Sequence, residues 1–192
     1  MDRLMPFDEL NVLDAQVKNI FETQEPEKRK DFADYVEDAV LEILVMSYVY
    51  GNEAANEMLG TSEEISQESL TESLDKKIKG ENWIQRVQKY MTDESATAED
   101  VIRVAETDAH RIYNEAIYEV GRQAESKTGV ILKTWETMLD DRVRDTHSYL
   151  EGMTIPFDER FFTYDGDSAD HPGDFFTPEN NVNCRCRIRL ST

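Results

Sequence analysis

The residues best equipped for chemistry lie in the last quarter of the chain. Cys184 and Cys186, the only two cysteines, sit in NNVNCRCRIRL, with His147 and His171 upstream. Thiolate and imidazole are the standard ligands of zinc, which wants four of them. His147, Cys184, Cys186 and His171 together make one such set, although their spacing fits no recognised zinc signature. A Cys-His nucleophilic pair is a second possibility, because nearby arginines lower a thiol pKa. No oxyanion-hole motif or third orienting group is legible beside it. The third possibility involves no chemistry. Residues two apart in a strand share a face, so Val182, Cys184, Cys186, Ile188 and Leu190 point one way and Asn183, Arg185, Arg187 and Arg189 the other. Cysteine packs as a small hydrophobe, and a core strand accounts for both thiols. A disulfide across a single residue would close a strained ring. The residues alone leave these readings open, so the cofactor is none or zinc.

The elements around these residues decide whether they meet. DDRVRDTHSYLEG reads as a short helix capped by Asp140 or Asp141 and closed at a left-handed Gly152. It carries Val143, His147 and Leu150 on one side, so His147 is expected to face the core. VILKTWET reads as a strand, and Pro156 limits MTIPFDERFFTY to an edge strand. DGDSADHPGDFFTPENN reads as a loop. The carboxylates Asp140, Asp141, Asp145, Asp165, Asp167, Asp170 and Asp174 could in principle bind a divalent ion. Caps and turns explain them more simply. No calcium loop, phosphate-cradling glycine loop or nucleotide fingerprint is present.

Upstream the pattern is helical: an opening helix over about 6–22, then a break at Pro26. A second helix places Phe32, Val36, Ala39, Ile43, Met46 and Tyr50 at spacings of three and four and ends near Gly51 or Gly60. TSEEISQESLTESLDKKIKG reads as a linker or a loosely packed helix with a loop. ENWIQRVQKYM is a short helix burying Trp83, Ile84, Val87 and Met91. The clearest helix follows, with a Thr97/Asp100 capping pair and a stripe of Val101, Ala105, Ala109, Ile112, Ala116 and Val120. His110 falls outside that stripe and reads as solvated. The expected class is α+β: a helical region over 1–126, then a small domain of short strands and one helix over 127–192.

The 192 residues carry a net charge of −20. Such a chain repels phosphate, which argues against sequence-independent and sequence-specific nucleic-acid binding alike. The charge is uneven: residues 1–70 hold 17 acids against 5 bases, whereas the last eight hold three arginines and no acid. The opening MDRLMPFDELNV has no secretory pattern, and the apolar run over 40–51 is too short for a bilayer and contains Glu42. The chain therefore reads as intracellular when made, with reduced thiols and no membrane partner.

The ordered set Trp135, Asp141, Val143, Arg144, His147, Leu150, Gly152, Pro172, Gly173 and Asn183-Cys184-Arg185-Cys186 resembles the C-terminal domain of phage Mu F-like head morphogenesis proteins. ETDAHRIYNEAIYEVGRQAES is similar to that family's lead-in helix at Arg111, Asn114 and Ala116. The resemblance covers about residues 100–188. It implies a minor head protein of a tailed phage or prophage, non-enzymatic, acting in capsid assembly with the portal or major capsid protein as partner. Its implied location is the virion interior or portal vicinity, and the host cytoplasm during assembly. Some family members carry a toxin-like or transferase module, for which the residues after Cys186 leave no room. Trp135, Asp141, Arg144, His147, Asn183 and Arg185 are then expected to form a structural polar cluster. The rival expectation is a small metal-assisted nuclease or injected effector centred on His147, Cys184 and Cys186.

Overall fold

The computed structural model describes residues 7–192; the first six residues, part of the stretch on which the absence of a secretory signal is read, lie outside them. The chain is α+β. Helices α1 (Phe7–Thr23), α2 (Pro26–Arg29), α3 (Ala33–Leu59), α4 (Gln67–Asp75), α5 (Trp83–Thr92) and α6 (Ala98–Thr128) come first, with a 3-10 turn over Lys30–Phe32. Strands β1 (Leu132–Glu136), β2 (Thr154–Pro156), β3 (Phe161–Phe162), β4 (Ser168–Ala169) and β5 (Arg187–Ser191) follow, with short helices α7 (Asp145–Ser148) and α8 (Pro178–Asn181) between them.

α6 is the axis of the molecule. Its start is fixed by Asp100, whose carboxylate accepts from both the Thr97 N–H and the Thr97 hydroxyl at 2.9 Å, a local pairing that satisfies a free helix-end donor. Its first half packs Val101, Ala105, Ala109 and Ile112 against Val17 of α1, Val36, Val40 and Ile43 of α3, and Val87 and Met91 of α5. Its second half turns Ile117, Val120 and Ala124 toward a second core with Trp135, Leu150, Phe157, Phe161, Ile188 and Leu190. The two cores therefore share one helix, and the second is built from residues on both sides of position 126.

α3 does not stop at Gly51. It continues to Leu59 and ends where Gly60 adopts a left-handed conformation. Gly51 instead marks the closest approach of α3 and α6: a Cβ there would lie 2.3 Å from the Tyr113 carbonyl oxygen. The buried stripe of α3 is centred on Val36, Val40, Leu44 and Tyr48, while Phe32, Ala39, Met46 and Tyr50 flank it, half-buried. The polar stretch after Gly60 contains a true helix, α4, because the Ser66 side chain accepts from Ser69 N–H and caps it.

β1 is central in a three-stranded antiparallel sheet, between β2 and β5. Pro156 closes β2 at the sheet's edge, where its missing N–H costs nothing. The loop over 165–181 holds two small elements, β4 and α8. Asp167 organises it, its carboxylate accepting from the N–H groups of Ser168, Phe176 and Thr177 and from the Asn180 amide. That is the turn-forming role expected of these carboxylates. No described helix is long and apolar enough to cross a membrane.

Candidate metal centre

β5 starts five residues later than the alternation suggests, at Arg187 rather than Val182. Asn183 has φ +58°, a left-handed turn that breaks the strand before it begins, so Cys184 and Cys186 lie on the approach to β5. Both thiols still face inward, at 4% and 3% exposure. α7 is a single turn, and its N-cap is Arg144 rather than Asp140 or Asp141. The turn nonetheless delivers His147 into the core, and Gly152, at φ +72°, lets the chain reverse into β2 as expected.

His147 Nδ1 sits 3.6 Å from Cys184 Sγ and 3.5 Å from Cys186 Sγ. The three ligand atoms lie within 4.8 Å of one another, and all three residues are buried. The imidazole is held by rings: it stacks on Phe175 at 5.2 Å and meets Trp135 edge-on at 5.5 Å. Its Nε2 has no hydrogen-bond partner among the described residues. The thiols act as a pair. A hydrogen bond from Cys186, reinforced by His147 and opposed by burial, holds the Cys184 thiol well below its usual range. The same pairing, with burial, pushes Cys186 up.

The other expected cluster members split. Arg144 donates to the Val182 carbonyl and ties α7 to the approach segment. The Asn183 N–H donates to Thr107 Oγ1 on α6 at 3.2 Å. Arg185 makes a two-pronged pair, but with Asp140, at 2.7 and 2.8 Å. Asp141, one residue on, is exposed and takes no part in that pair, a correction to the expected set. His171 is also not in the cluster. It is buried on α6, its Nε2 3.4 Å from Glu115 Oε2 and its Nδ1 3.0 Å from the Pro172 carbonyl. Burial pushes Glu115 up, but His171, Lys76 and Arg111 outweigh it and hold the carboxyl below its usual range. His110 is half-buried rather than solvated, and burial, opposed by Cys184 and aided by the Arg185 charge, pushes it down to about 4.

Several organising residues on α6 escape a periodicity reading. Asn114, 1% exposed, accepts from the Ile188 N–H at 2.9 Å and donates to the Cys186 carbonyl at 3.0 Å. The otherwise open edge of β5 is met by this side chain. Asp108, fully buried, is gripped by Arg86 at 2.5 Å and Arg111 at 3.0 Å. Arg111 also donates to the Ser73 carbonyl and packs beneath Gly173. The available signal was spacing: Thr107, Arg111, Asn114 and Tyr118 recur at four, three and four, a polar stripe alongside the apolar one.

Comparison with known sequences bears on this arrangement. The family described as Phage Mu protein F like protein matches residues 64–189. The chain is 33% identical over 104 residues to the Minor head protein GP7 of Bacillus phage SPP1, covering 54% of this chain and 32% of that one. It is 26% identical over 143 residues to the NAD(+)--arginine ADP-ribosyltransferase EFV of Enterococcus faecalis (strain ATCC 700802 / V583), covering 74% of this chain and 29% of that one. The chain thus spans less than a third of the length of either relative. No solved structure gives a significant match.

Proposed function

We infer the function of this chain from its family: it belongs to the phage Mu protein F like proteins, whose match runs from α4 to β5. The reading is a minor head protein of a tailed phage or prophage, acting without catalysis in capsid assembly. Its place is the virion interior near the portal, after assembly in the host cytoplasm. Its partner is the portal or major capsid protein. The observation that carries this is the family match together with the similarity to a protein named as a minor head protein.

The docking surface we assign is a groove of about 520 Å³ between α1 and α3. Its lining combines the apolar Val12, Leu13 and Ile43 with the carboxylates of Asp8, Asp38 and Glu42. An apolar lining interspersed with carboxylates suits a basic amphipathic segment of that partner, whose lysines or arginines would meet the carboxylates. Double charge reversal, Asp38→Lys with Glu42→Lys, should leave the chain folded and remove it from assembled particles. Undiminished incorporation would refute the groove as the docking site. Normal particle yield and infectivity after deletion of the gene would refute the head-assembly reading itself.

A catalytic reading has two supports, the His147–Cys184–Cys186 cluster and the relative named as a transferase. Against it stands the space available: the cavity beside the cluster is about 10 Å³, which admits no substrate. Segments of 143 and 104 residues in a 192-residue chain must also overlap. The stretch resembling the transferase is therefore partly the stretch resembling the head protein, as a shared non-catalytic module would be.

A further inference from the structure

The spacings at His147 suit a metal ion as well as the thiol–imidazole hydrogen bonds they form without one. A tetrahedral zinc with Zn–S of about 2.3 Å and Zn–N of about 2.0–2.1 Å places its nitrogen and sulfur ligands about 3.6 Å apart. The two Nδ1–Sγ separations are 3.5 and 3.6 Å. Both thiols approach the same ring nitrogen, so they converge on one point instead of flanking the ring. That nitrogen also leaves Nε2 as the protonated one, buried and without a hydrogen-bond partner among the described residues.

A fourth ligand has one place to come from. The cavity of about 10 Å³ touches His147, Cys184 and Cys186 and is walled by Arg144, Asn183 and Arg185. A cavity needs roughly 10–15 Å³ to hold one water. His171, committed to Glu115, does not complete the set.

We propose that His147 Nδ1, Cys184 Sγ and Cys186 Sγ hold one zinc ion, with a single water in the adjoining cavity as fourth ligand. On binding, the thiols release their protons to solvent and two thiolates neutralise the ion's two positive charges. Soft thiolate donors select zinc over magnesium or calcium. The ion clamps α7 to the approach of β5, two segments joined otherwise by the Arg144–Val182 bond and by aromatic packing. Its role is to hold that domain together, since one water is all the site can admit. This proposal does not depend on the head-assembly reading, which particle composition tests separately.

The full chain, purified without chelator, should contain about one zinc per molecule by elemental analysis. Replacement with cobalt should give a thiolate-to-metal charge-transfer band and the intense visible bands of a tetrahedral site. Neither measurement depends on a variant folding. Cys184→Ser and His147→Gln should weaken cobalt binding at least tenfold, and His171→Gln should leave it unchanged. Absence of both zinc and a cobalt charge-transfer band from the wild-type chain would overturn the site. Loss of metal from His171→Gln, with its circular dichroism intact, would overturn water as the fourth ligand.

Discussion

Replacing Asn114 tests how the β5 edge is held. Sheet edges carry unpaired backbone groups, and burying them without partners is costly. In this fold α6 covers the outer edge of β5, and the Asn114 side chain supplies both an acceptor for Ile188 N–H and a donor to Cys186 C=O. Asn114→Leu has similar volume and leaves both backbone groups buried without that partner. Each such loss costs about 1–3 kcal/mol, so the variant should lose about 2–6 kcal/mol in all. Its third bond, from Nδ2 to the His110 carbonyl within α6, adds little because that carbonyl is a helix acceptor. Urea unfolding followed by circular dichroism gives the difference directly, with Asn11→Ala on the exposed face of α1 as a control expected within about 0.5 kcal/mol of wild type. If Asn114→Leu also falls within about 0.5 kcal/mol of wild type, the edge groups find other partners and the bridging role is wrong.

Three further outcomes follow from buried contacts elsewhere in the fold. Gly173 has φ +91°, and a Cβ there would lie 2.8 Å from Arg111 Cγ; Gly173→Ala should cost about 1–3 kcal/mol in urea unfolding, from backbone strain plus displacement of Arg111. Lys133 is fully buried, donates to the Asp170 carbonyl, and is pushed down to about 8 by burial. Its unfolded value is about 10.4, so the unfolded chain binds the extra proton between these values and stability rises with pH across that window. The rise should reach at most about 3 kcal/mol, since the rings of Tyr118, Phe157 and Phe161 favour the charged form, and it should vanish in Lys133→Met. Glu115 is held below its usual range, so its contribution is complete above the unfolded value of about 4.3 and is lost as pH falls further; Glu115→Gln should flatten the acid limb of a stability profile.

The sequence carried the helices well, because the stripe from Val101 to Val120 and the Thr97/Asp100 cap are local patterns. It also placed both thiols and His147 inward, since alternation and helical spacing report which face of an element is apolar. What it could not carry were contacts that one element imposes on another. His171 finds Glu115 on α6, 56 positions upstream by the numbering, and no periodicity in HPGD announces that. Asp140 rather than Asp141 meets Arg185 because the turn around Val143 sets the direction, with Val143 N–H bonded to the Asp140 carbonyl. Asn183 delays the start of the strand by taking a left-handed conformation, which asparagine tolerates better than most residues. His110 looked solvated because it lies outside the apolar stripe of its own helix, yet the fold leaves it half-buried.

The measurement closest to the central claim is the composition of purified, nuclease-treated particles. Quantitative mass spectrometry of DNA-filled heads and empty precursors should find this chain in one or both, at a low and reproducible ratio to the major capsid protein. Its absence from both would contradict the head-protein account.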